Sequence, residues 1–121
     1  MIRVLALGLA TLLLPSVVFS QQQAVSAKGA VLRGLDKVNG QTVDVQIQTG
    51  GRAGVFGLTV DLADCRFPAD NPTGDAFAFL TVLDGTHSDV AFQGWMVASS
   101  PALNALDHSR YDIWVLRCIN S

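Results

Sequence analysis

The chain has 121 residues, with 8 basic and 10 acidic side chains and a formal charge of −2. Every acid is Asp and none is Glu, the bases are mostly Arg, and Gly is frequent, so the residues that favour exposed helix faces are nearly missing. This excludes a coiled coil, a long amphipathic helix or a helical repeat, and the scattered charge excludes the basic patch of a nucleic-acid binder.

Residues 1–20 read as a secretory signal peptide. Arg3 supplies the charged start, residues 4–14 form an apolar run, and Val18 and Ser20 are the short residues before a cut expected after Ser20. The run falls short of the ~20 apolar residues of a membrane-spanning helix. An anchor that stays uncleaved is the competing reading. No other stretch approaches membrane length, so no transmembrane span is expected once the signal is removed. Residues 21–28 read as a flexible leader, and residues 29–121 as a single β-domain.

Six strands are expected in that domain. Residues 30–36 form the first, and Asn39-Gly40 is a hairpin turn. Residues 42–48 alternate strictly, with Val43, Val45 and Ile47 on one face. Gly50-Gly51-Arg52-Ala53-Gly54 reads as a flexible turn. Residues 55–64 alternate again, with Phe56, Leu58, Val60 and Leu62 inward. In that register Cys65 points outward, unless a bulge near Asp64 turns it. Residues 67–74, with Pro68 and Pro72, read as a loop.

Residues 76–83 are apolar on both faces and read as a covered central strand. His87-Ser88 lies on the loop that follows. Residues 90–98 and 111–119 supply the last two strands. Between them lies the chain's best helix signal. Ser99 or Ser100 caps it, Pro101 takes the first helical position, residues 102–106 give one to two turns, and Asp107 ends it. The expected fold is therefore all-β: a small antiparallel barrel or sandwich with one short helix between the last two strands.

Cys65 and Cys118 are the only cysteines. Export predicts a disulfide between them. Closing a loop of that length stabilises by about 4 kcal/mol in the chain-entropy model. A redox pair would have closer spacing, and a zinc site needs more ligands.

The segment GWMVASSPALNALDHSRYDIWVLRC (residues 94–118), with LRGLDKVNG (32–40), CRFP (65–68) and DAFAFL (75–80), resembles an uncharacterised family of exported Gram-negative bacterial proteins, a domain of unknown function. The resemblance spans about residues 29–118. It implies a periplasmic location, paired cysteines and a compact fold. It implies no activity and no catalytic residues.

Few side-chain patterns suggest chemistry. Ser99 or Ser100 with Asp107 and His108 contains the residue types of a serine hydrolase, which needs a nucleophile, a base and an orienting acid. The Gly-x-Ser-x-Gly elbow is absent, and helix capping explains the same serines. His87 and His108 lack metal-ligand spacing, and residues 70–75 lack a calcium-loop pattern, so no metal and no cofactor is expected. Asp36 and Lys37 fit turn composition. Arg33, Arg66, Arg110 and Arg117 are placed to pair with Asp36, Asp64, Asp107 or Asp112. Trp95, Met96, Tyr111 and Trp114 concentrate the large amphipathic side chains late in the chain, where either a core or an interface would use them.

Three functions follow from these residues. The first is an exported, non-enzymatic β-domain that binds a periplasmic or envelope protein partner through Trp95, Ser99, Ser100, Asp107, His108, Arg110 and Asp112, held rigid by the Cys65–Cys118 bridge. The second is a small hydrolase using Ser99 or Ser100 with His108. The third is a barrel that takes a small apolar or glycan ligand in its mouth.

Overall fold

The computed structural model describes residues 23–85 and 89–120, together with residues 8 and 13. Apart from those two positions, the expected signal peptide and its cut after Ser20 lie outside the described residues, as does His87-Ser88. Among the described residues eight strands form: β1 (Ala24–Ser26), β2 (Gly29–Asp36), β3 (Thr42–Gln48), β4 (Arg52–Val55), β5 (Leu58–Pro68), β6 (Phe77–Asp84), β7 (Asp89–Val97) and β8 (Tyr111–Ile119). They build two antiparallel sheets. One runs β1-β5-β6-β7, with β4 also paired to β5; the other runs β3-β2-β8. No closed barrel results.

Two strands exceed the expected six, and both lie along β5. Strand β1 falls inside the expected leader, where Ala24 pairs with Pro68 and Ser26 with Arg66. Strand β4 occupies part of the Gly-rich stretch expected as a turn, and Val55 pairs with Leu58. Phe56 and Gly57 are therefore a two-residue hairpin turn inside what alternation presents as one continuous strand. A period of two carries no mark of a reversal when the turn residues keep the same parity. Phe56 accordingly is not inward but 39% exposed.

The expected short helix is absent: no helix occurs among the described residues. Residues 98–110 instead make isolated turns, with Ser100 N–H donating to the Val97 carbonyl and Leu103 N–H to the Ser100 carbonyl. Leu103 is 76% exposed, whereas Leu106 is 6% exposed and enters the core. Residues three apart share a helix face, so these opposite fates require an unwound chain. A helix this short also leaves most of its backbone groups without internal partners.

The sheets join along one side. The chain turns from β1 into β2 and from β3 into β4, and the corners are tied by Ala27 N–H to the Cys65 carbonyl, Thr49 N–H to the Lys28 carbonyl and Leu62 N–H to the Gly51 carbonyl. On the other side β7 and β8 do not pair, and residues 98–110 cross the gap as a strap. Leu106 plugs the gap. The Asn104 side chain donates to the Trp95 carbonyl at 3.0 Å, which covers part of the β7 edge.

Leu32, Leu58, Leu62, Leu80 and Ile113 are the largest fully buried side chains of the core between the sheets. Strand β6 is central, as expected, but only one of its faces is buried: Ala78, Leu80 and Val82 point inward, while Phe77 and Phe79 lie half-buried on the outer face. The pairing of β5 with β6 shifts register between Leu62 and Asp64. This bulge inserts Ala63, reverses the parity beyond it and turns Cys65 fully inward. Cys65 then forms a disulfide with Cys118 of the opposite sheet, Cα–Cα 5.8 Å.

Candidate functional site

Candidate positions collect where the β4–β5 turn, the end of β6 and the start of β8 meet. Phe56 has a φ of 53°, in the left-handed region that a Cβ disfavours by roughly 1–2 kcal/mol. Its ring lies parallel to that of Tyr111, with centroids 5.6 Å apart and planes 3° from each other. Two glycines make room for this arrangement. A Cβ on Gly34 of β2 would stand 2.5 Å from Val55 Cγ1 and 3.3 Å from the Phe56 ring, and one on Gly57 would stand 3.2 Å from the Tyr111 ring.

His108 is fixed by three hydrogen bonds. Its Nδ1 accepts the N–H groups of Arg110 (3.0 Å) and Tyr111 (3.1 Å). The proton therefore sits on Nε2, which donates to Asp84 Oδ2 at 3.1 Å. The Arg110 guanidinium stands over the Tyr111 ring at 5.2 Å and donates through Nη2 to Asp36 Oδ2 at 3.0 Å. Asp36 is 3% exposed, the buried charged residue of the core. The Arg110 hydrogen bond holds its carboxyl below the usual carboxylate range, and the Val38 N–H adds to this against the opposing effect of burial. Lys37 closes the corner by donating from Nζ to the His108 carbonyl.

These groups border an open groove of about 690 Å³, whose walls include Phe56, Thr59, Asp84, His108, Arg110 and Tyr111. The groove brings together only two of the candidate binding residues, His108 and Arg110. Alternation puts Phe56 on an inward strand face; the structure instead puts it on the groove wall together with Asp84, which no side-chain pattern singles out. The signal that identifies Phe56 is its dipeptide with Gly57, a turn unit hidden by the alternation around it.

The other candidates lie elsewhere. Trp95 is on the outer face of the larger sheet, edge-on to Phe79 at 5.3 Å and beneath the Arg66 guanidinium at 5.4 Å. Beside it is an apolar hollow of about 220 Å³ bordered by Ala24, Arg66 and Phe77. Arg66 also donates to Asp64 Oδ2, while Asp64 Oδ1 is buried with no hydrogen-bond partner among the described residues. The Ser99 hydroxyl donates to Asp75 Oδ2 at 2.7 Å. Asp75 precedes β6 and Asp84 ends it, so Ser99 and His108 are separated by about the strand's length, roughly 23 Å. The structure does not bring them together. Ser100 sits in a backbone turn, and Asp107 is exposed. Asp112 accepts the Ile113 N–H at 2.9 Å and borders a hollow of about 370 Å³ under Pro101 and Ala105. The disulfide pair and two of the expected kinds of ion pair form: Arg110 with Asp36 and Arg66 with Asp64, while Arg33 instead takes Asp44 across the β2–β3 pair.

No helix among the described residues is long and apolar enough to cross a membrane. No curated protein and no solved structure matches the chain. A family model does match, over residues 30–118, nearly all of the folded part. The chain thus belongs to the bacterial family described as uncharacterized protein conserved in bacteria, DUF2155.

Proposed function

We propose that this chain is an exported, non-enzymatic binding domain of the bacterial cell envelope, and that the Phe56–Tyr111 groove is its binding site. The observation that carries the reading is Phe56. A bulky residue at positive φ stays strained only where the surroundings enforce it, and such residues collect at ligand-binding and active sites. Here the strain holds an aromatic ring at the surface, against Tyr111 and beside Arg110 and His108. Export is supported by the charged, apolar and small-residue succession of residues 1–20 and by the Cys65–Cys118 disulfide. On this reading the domain resides in the periplasm after a cut behind Ser20.

The hydrolase reading draws less support. The Ser99 hydroxyl is committed to Asp75, and His108 is committed to Asp84 at the far end of β6.

Capture from a native envelope extract tests the binding reading. The wild type and Gln46→Ala, an exposed change on β3, retain the same bound component, and Phe56→Gly releases it. Retention by Phe56→Gly overturns the assignment of the site. Mass analysis of the periplasmic protein tests export: the expected chain begins at Gln21, and a chain that retains residues 1–20 overturns the cleavage.

A further inference from the structure

Resting on that reading of the groove, we infer that its ligand is a neutral glycan, a short oligosaccharide laid with one sugar face on the Phe56 ring that Tyr111 backs. Three features of the site select this chemistry.

The first is shape. The Phe56 ring, 39% exposed and backed by Tyr111 stacked parallel within 3°, offers one flat aromatic face, and a groove of about 690 Å³ falls within the ~300–1,000 Å³ range of small-molecule sites. A pyranose ring has a flat face of C–H groups and a rim of hydroxyls, which matches an aromatic wall bordered by polar groups.

The second is charge. Among the described residues the charges bordering the groove are matched: Arg110 to Asp36, and the Asp84 carboxylate to the His108 Nε2–H. Lys37 is spent on a carbonyl. A nucleic acid or other polyanion would need a cationic groove, and a cation would need excess carboxylate. The remaining hydrogen-bonding groups are of both kinds. The Arg110 guanidinium is half exposed and donates; the hydroxyls of Ser109 and Thr59 donate and accept. Hydroxyl-rich neutral ligands use both kinds.

The third counts against one competitor, an extended peptide added to the edge of β8. Such a peptide needs free main-chain groups. At the groove end of β8 the Tyr111 N–H is taken by His108 and the Ile113 N–H by Asp112. The edge is closed to strand addition there.

The test is a titration of the ¹⁵N-labelled full domain with two uncharged sugars, tri-N-acetylchitotriose and maltotriose, followed by amide shifts. The expected result is saturable movement of the Gly57, Gly85 and Tyr111 amides with at least one sugar, at a Kd on the order of 0.1–1 mM. Phe56→Gly and Phe56→Asn, both residue types that tolerate positive φ, each weaken that binding by about tenfold or more, while Gln46→Ala leaves it unchanged. Absence of saturable shifts with both sugars, or shifts confined to the Trp95 face, overturns the glycan assignment. The two levels separate cleanly. If neither sugar binds but Phe56→Gly still releases the envelope component, the glycan class falls and the site stands. If Phe56→Gly releases nothing and neither sugar binds, both fall.

Discussion

At the scale of single residues, Phe56 and Asp36 each hold something against an opposing force. Replacing Phe56 by Gly removes a ring stack worth about 0.5–1.5 kcal/mol and relieves backbone strain of about the same size. The expected thermal midpoint therefore stays within a few degrees of wild type, checked by a melt followed by circular dichroism; a protein of this length shifts by roughly 4–8 °C per kcal/mol. Asp36 behaves differently because its folded-state carboxyl titrates lower than in an unfolded chain. Its contribution is fully present above the ordinary Asp value of about 3.9 and disappears as pH falls through the lower folded value. Asp36→Asn is expected to lower the urea midpoint at pH 7 and to flatten its further decline below about pH 4, while wild type declines steeply there. Local pattern alone misleads about Phe56, which keeps the parity of an inward stripe, whereas Asp36 takes both the turn place and the Arg110 partner that the sequence offers. What sets their roles comes from far along the chain: Tyr111 for the one and Arg110 for the other.

At the scale of elements, the strap of residues 98–110 replaces a strand pairing between β7 and β8. Its apolar contribution is concentrated in one side chain. Leu106→Ala is expected to destabilise by about 2–4 kcal/mol, the usual range for emptying a buried leucine site. Leu103→Ala, at a solvent-exposed position, is expected to stay within about 0.5 kcal/mol. Urea unfolding of the two variants side by side measures this, and equal effects would show that the strap does not seal the core through Leu106. The Ser-Ser-Pro-Ala-Leu pattern does contain every local ingredient of a helix start. Local propensity gave way because the gap between the sheets accepts one leucine, and a one-turn helix would present Leu103 and Leu106 together. The strands were more legible. Where one face is buried the period of two is enforced by packing, as in Leu58–Leu62 and Tyr111–Val115. Strand β1 is not legible because its exposed residues owe their conformation to the backbone of β5, and β4 is not because its one buried side chain, Val55, reads as the start of the next strand.

At the scale of the whole molecule, the Cys65–Cys118 bridge fastens the larger sheet to the smaller. With a sequence separation of 53, opening it should remove about 4 kcal/mol by loop entropy. The expected outcome is a large drop of the urea midpoint when reductant is added to wild type, with no response in a double Cys65→Ala, Cys118→Ala variant. An unmoved wild-type midpoint would assign the sheets' adhesion to apolar packing alone. The all-β class and the bridge were both open to a sequence reading, since composition and compartment constrain them globally. The division into two sheets with one joined and one strapped side was not, because it depends on which long-range edges meet.

The bulge at Ala63 makes the chain's reading frame in β5 a matter of covalent chemistry. Ahead of it, even-numbered residues face the core; behind it, odd-numbered ones do. Taking Ala63 into the ladder would restore a straight strand, swing Cys65 to the solvent side and leave the Cys118 sulfur without its partner on β5. Deleting Ala63 would do the opposite: Asp64 would follow Leu62 in the ladder, and Cys65 would keep its inward place opposite Ala78. The extra residue thus lets this sequence close its own bridge, and a slip of register that pairs Ala63 would offer both sulfurs to other molecules.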